Sequence, residues 1–65
     1  MQKTELHHTD GTITVVDTNE TGDTRIYRIE TDQSITELGQ EGSGLSHDEV
    51  VNKYKRPGDA VVNVP

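Results

Sequence analysis

Sixty-five residues, with twelve Asp and Glu against six Lys and Arg, a formal net charge of -6 and only 28% hydrophobic residues, describe one small acidic domain with a thin core. At this size folding removes only about 60% of the unfolded chain's surface from water, and the absence of cysteine excludes a disulfide framework and a thiolate metal site. The charge argues against non-specific nucleic-acid binding, which neutralises phosphates with Lys and Arg, and against docking on anionic membranes.

The first residues, MQKTELHHTDG, hold no apolar run of the signal-peptide kind, and no stretch approaches a membrane span. The expected location is therefore cytoplasmic. An acidic, Thr-rich, Lys-poor chain without Phe or Trp is also of the kind that a high-salt cytoplasm favours.

In TELHHTDGTITVVD, the Asp10-Gly11 pair between two alternating runs signals a hairpin. A two-residue turn there sets His8 opposite Ile13, His7 opposite Thr14 and Leu6 opposite Val15. Side chains alternate across a strand, so Leu6, His8, Ile13 and Val15 are expected on one face. The next turn, NETGDT, keeps that face apolar if its loop is Glu20-Thr21-Gly22 with Gly22 as the left-handed residue. Asp17 then pairs with Arg25, Val15 with Tyr27 and Ile13 with Ile29. The expected core face is Leu6, His8, Ile13, Val15, Tyr27 and Ile29. His7, Thr14 and Arg28 line the other face, with Glu5, Val16 and Ile26 beside them. Val16 and Ile26, an apolar pair on a polar surface, mark with His7 and Arg28 the expected partner-binding patch.

Residues 34–38, SITEL, suit a short fourth strand with Ile35 inward, or one helical turn, since Ser34 and Glu37 have capping-box spacing. Residues 39–44, GQEGSG, carry three of the six glycines and are expected as a flexible surface loop. They lack the spacing of a phosphate-binding glycine loop. GLSHDEVVNKYKRPGD then contains a complete helix. Ser46 is the N-cap, Glu49 completes a capping box, and Leu45 and Val50 form a hydrophobic staple. Asp48 and Glu49 in the first turn, with Lys53, Lys55 and Arg56 in the last, follow the helix dipole. Pro57-Gly58 stops it, and DAVVNVP follows as a closing strand. Val50, Val51 and Tyr54 make a narrow stripe for one face of a sheet.

The candidate chemistry is sparse. His7 and His8, adjacent on a strand, point to opposite faces and do not share an ion, and no HExxH-type spacing includes His47. No metal or cofactor is expected. His8, on the expected core face, is the candidate pH-sensitive group, whose charging in acid would oppose folding. No nucleophile elbow or paired-carboxylate cleft is apparent, and so small a chain leaves little room for a substrate pocket. Lys53, Lys55 and Arg56, with Arg25 and Arg28, form the one basic group, either a helix end collecting cations or an anion contact.

The expected architecture is α+β: a small, mainly antiparallel sheet of order β-β-β-(β)-α-β with one helix packed on one face, in a single domain over residues 1–65. The expected function is a non-enzymatic interaction module, such as an inhibitor, adaptor or regulatory subunit, binding a protein partner of basic surface through a sheet face or edge. Two other classes fit: a nucleic-acid-binding regulator using the basic cluster, and a homodimer or larger structural homo-oligomer joined through Val16 and Ile26.

Overall fold

Three turns of one design organise the front of the chain. In each, the residue before the loop donates its N–H across the strand ends: His8 to the Thr12 carbonyl at 2.9 Å, Asn19 to Asp23 at 2.9 Å and Glu30 to Ser34 at 2.8 Å. The loops are therefore Thr9-Asp10-Gly11, Glu20-Thr21-Gly22 and Thr31-Asp32-Gln33, and the third residue of each lies at positive φ, +90°, +88° and +72°. Side chains brace them. Asp10 Oδ1 accepts the Thr12 N–H and hydroxyl at 2.9 and 2.6 Å, and Asp32 does the same for Ser34 at 3.0 and 2.6 Å.

A computed structural model describes residues 1–42 and 44–65. It contains β1 (Gln2–His7), β2 (Ile13–Thr18), β3 (Thr24–Ile29), β4 (Ile35–Glu41), α1 (His47–Tyr54) and β5 (Ala60–Val64). The strands form one antiparallel sheet in the order β4-β3-β2-β1-β5, with α1 on one face. This is the small α+β architecture expected. The β2–β3 register is also the expected one, pairing Ile13 with Ile29, Val15 with Tyr27 and Asp17 with Arg25.

The β1–β2 register is not. His7 pairs with Ile13, Leu6 with Thr14 and Glu5 with Val15. Asp10 spends its carboxylate on Thr12, which makes the loop three residues long instead of two and shifts β1 by one position. A one-residue slip exchanges faces. Leu6 and His8 consequently share a side with Thr14, Val16, Ile26 and Arg28, and α1 covers that side. Leu6, Val16, Ile26 and Val50 are fully buried, Val51 nearly so, with Leu38 and Tyr54 packed against them. Ile13, Val15, Tyr27 and Ile29 lie on the uncovered face, against expectation.

Of residues 34–38, all but Ser34 are strand rather than a helical turn, but Ile35 is 58% exposed on the open face and does not point inward. β4 also takes in Gly39, Gln40 and Glu41, which the glycine count had placed in a loop; Ser43 of that stretch lies outside the described residues. A bulge makes the extension feasible: Ile26 pairs with Gly39 while Tyr27 pairs with Glu37, leaving Leu38 free to enter the core beside the helix. Gly39 adopts φ +146°, a conformation side-chain-bearing residues rarely take.

The helix follows its grammar. Ser46 Oγ accepts the Glu49 N–H at 3.2 Å, and the Glu49 carboxylate returns to the Ser46 N–H at 3.5 Å. Arg56-Pro57-Gly58-Asp59 then turns the chain into β5, with the Asp59 N–H donating to the Arg56 carbonyl at 3.2 Å.

Candidate functional site

The uncovered sheet face is the main surface feature. Reading from β5 across to β4, one row holds Ala60, His7, Ile13, Ile29 and Ile35. The next holds Val62, Glu5, Val15, Tyr27 and Glu37, and the third Val64, Lys3, Asp17, Arg25 and Gln40. Val15, central in this array, is wholly shielded although no element among the described residues covers it. The array is ordered by polar contacts along its margin. Arg25 donates from both Nε, at 3.0 Å, and Nη2 to the Glu37 carboxylate, and its guanidinium lies over the Tyr27 ring, 4.5 Å from the centroid. Those bonds hold the Glu37 carboxyl below its ordinary range. His7 Nε2 lies 3.0 Å from Glu5 Oε1. Five strands about 4.8 Å apart, five to seven residues long at about 3.3 Å each, present a face of roughly 20 by 20 Å.

The expected partner patch does not exist as a surface. Val16 and Ile26 are cross-strand partners sealed beneath α1. His7 is on the open face. Arg28 is on the helix side, half-buried, and donates to Glu30 at 2.7 Å. The basic group is likewise dispersed. Lys53 bonds Glu41 at 2.7 Å and Arg56 faces Asp10 at 3.6 Å, while Lys55 caps the helix, its backbone N–H on the Val51 carbonyl. Arg25 and Arg28 lie on opposite faces of the sheet.

No known protein family, curated protein or solved structure matches this chain.

Beneath the helix, a polar chain crosses the core. His47 Nε2 lies 2.7 Å from Thr4 Oγ1 and Nδ1 2.7 Å from Thr18 Oγ1; Thr4 donates to Asn63 at 2.9 Å, and Thr18 meets Thr24 at 2.8 Å. Because Thr4 gives its one hydroxyl proton to Asn63, His47 Nε2–H must donate to Thr4. In the neutral ring, Nδ1 then accepts the Thr18 hydroxyl, which accepts from Thr24. His8 performs a similar task, with Nδ1 donating to Asp59 at 2.7 Å and Nε2 2.6 Å from the Thr14 hydroxyl. Thr4, Thr14 and Thr24 are buried with their hydroxyls satisfied, Thr4 by His47, Thr14 by His8 and Thr24 by Thr18. No buried side-chain donor or acceptor among the described residues lacks a partner.

His8 is buried, as expected, with its ring against the Asp59 carboxylate at 2.7 Å. Asp59 itself is the clearer acid-sensitive group. Burial raises its pKa, but the Arg56 N–H, the His8 hydrogen bond and the charges of His8 and Arg56 together bring it below the ordinary carboxylate value.

Among the described residues, no three His, Asp or Glu side chains gather as metal ligands would, and no helix is long and apolar enough to cross a membrane. A polar groove of about 620 Å³ lies at the strand ends, lined by Asp17, Asp23, Arg25 and Glu41 among others. The signal that would have set the β1–β2 register was local. Asp10-x-Thr12 repeats as Asp32-x-Ser34, a side-chain-braced loop that lengthens the turn by one residue.

Proposed function

We propose that this protein is a non-enzymatic interaction module that receives a protein partner on the open face of its sheet. The carrying observation is the location of Ile13, Val15, Tyr27, Ile29, Ile35 and Val62 on a face that, among the described residues, no element covers. An exposed sheet face with aliphatic and aromatic residues grouped at its centre is of the kind that marks interaction sites.

Charge supports the same assignment. Of the twelve acids and six bases, three acids (Glu5, Asp17, Glu37) and two bases (Lys3, Arg25) lie on this face, leaving nine and four for the rest. The face is near neutral and the body around it is acidic. The fitting partner has an apolar centre and a basic rim, so that Asp10, Glu30 and Asp32 at one end and Glu20 and Asp23 at the other steer the encounter.

The test compares the native chain with Ile35→Lys in capture from a cell lysate, followed by chemical-shift mapping with the captured protein. Shifts confined to Ile13, Tyr27, Ile29 and Ile35, and capture lost in the variant, are the expected result. Shifts on the helix side with Ile35→Lys binding normally would sink the proposal.

A further inference from the structure

The two edges of the sheet are built differently. β4 carries Glu37 and Glu41 and is broken by the bulge at Leu38-Gly39, features that discourage strand addition. β5, Ala60-Val61-Val62-Asn63-Val64, has no charged residue and pairs with β1 in one unbroken register. Val61 and Val62 are each 43% exposed. The acid that adjoins it, Asp59, is turned inward to His8 with 1% of its side chain exposed, and so does not guard the edge. Among the described residues nothing pairs with the outer side of β5. A short, neutral, aliphatic, regular edge is the kind that adds another strand.

From this asymmetry we infer that β5 pairs with β5 of a second copy of the chain, antiparallel about a two-fold axis through Val62 and perpendicular to the sheet. The strand is its own complement in that register: Val62 faces Val62 of the second copy, Val61 faces Asn63, and Ala60 faces Val64. No charge meets a charge. Pro65, which follows and has no N–H, limits the new ladder to the five residues of β5. The product is a single ten-stranded sheet with both helices on one side and both open faces joined on the other.

The electrostatics give the assembly a signature. Two chains of net charge -6 repel at long range, and salt screens that repulsion, so association strengthens as salt is added. Binding to a basic partner weakens under the same change, which separates this inference from the proposed function.

The test is sedimentation of the 65-residue chain at rising concentration and salt, with Val62→Lys and Val62→Glu variants measured singly and mixed in equal amounts. The native chain is expected to approach twice its 7.2 kDa mass. Like charges facing across the axis weaken self-association by about tenfold or more in each variant. The mixture re-forms a dimer, because Lys then faces Glu, and a merely misfolded variant has no means of doing so. A native chain that stays monomeric at high concentration in about 1 M salt, where the Debye length is only about 3 Å, overturns the inference. Two other results also overturn it: variants that dimerise like the native chain, and a mixture that stays monomeric.

Discussion

His8 Nδ1 and Asp59 Oδ1 lie 2.7 Å apart, joining the end of β1 to the residue that leads into β5 across 51 positions of sequence. Both side chains are almost wholly enclosed, at 2% and 1% exposure, so this bond closes the sheet's last strand onto its first. A buried carboxylate is tolerated there because the ring and the Arg56 N–H both donate to it.

Acid should unfold the protein through its carboxylates. Burial works against Asp59, but its hydrogen bonds hold its folded pKa below 3.8; Thr12 does so for Asp10 and Ser34 for Asp32. Glu30, bonded by Arg28, and Glu37, bonded by Arg25, are held below 4.5. A carboxyl depressed on folding contributes stability that is fully present above its unfolded value and is lost as pH falls through the folded one. The melting temperature should therefore fall below about pH 4, and Asp59→Asn should flatten that fall. A melting temperature unchanged from pH 5 to pH 2.5 would contradict this account.

The faces of the sheet can be told apart by truncation. Ile26→Ala, under the helix, should cost about 2–5 kcal/mol, since it removes a buried side chain from a close-packed site. Ile35→Thr, on the open face, should change stability by less than about 0.5 kcal/mol. Urea midpoints decide between them, and equal midpoints would mean the helix covers the wrong side.

His47 is a structural donor and acceptor. His47→Ala leaves Thr4 and Thr18 without their ring partners inside the core and should cost about 2–4 kcal/mol. Partial recovery in His47→Gln, whose side-chain amide both donates and accepts, is the diagnostic readout. Failure of His47→Gln to recover any stability over His47→Ala argues against the polar chain.

Gln33 occupies the left-handed position that Gly11 and Gly22 fill in the other two hairpins, at φ +72°. Side chains with a Cβ are disfavoured there by about 1–2 kcal/mol. Gln33→Gly should raise stability by about 0.5–1 kcal/mol after the added freedom of the unfolded chain is counted. A lower melting temperature in the variant would refute the turn assignment.

Much was legible in the chain itself because the signals are local. The Ser46/Glu49 capping box, the Val50-Val51-Tyr54 stripe and the Pro57-Gly58 stop are all satisfied within a few residues of one another. So is the Glu20-Thr21-Gly22 loop, which fixed the β2–β3 register. Which sheet face the helix covers could not be read this way. β2 and β3 carry apolar residues on both sides, Ile13, Val15, Tyr27 and Ile29 on one and Val16 and Ile26 on the other, so alternation left two faces nearly equivalent. Tertiary structure decided between them through the one-residue shift of β1 and through His8 and His47, whose contacts with distant threonines make a Thr-rich side suitable for the interior. Hydrogen bonds between residues tens of positions apart leave no period in a sequence, and that is why the exposed surface emerged only when the chain was folded.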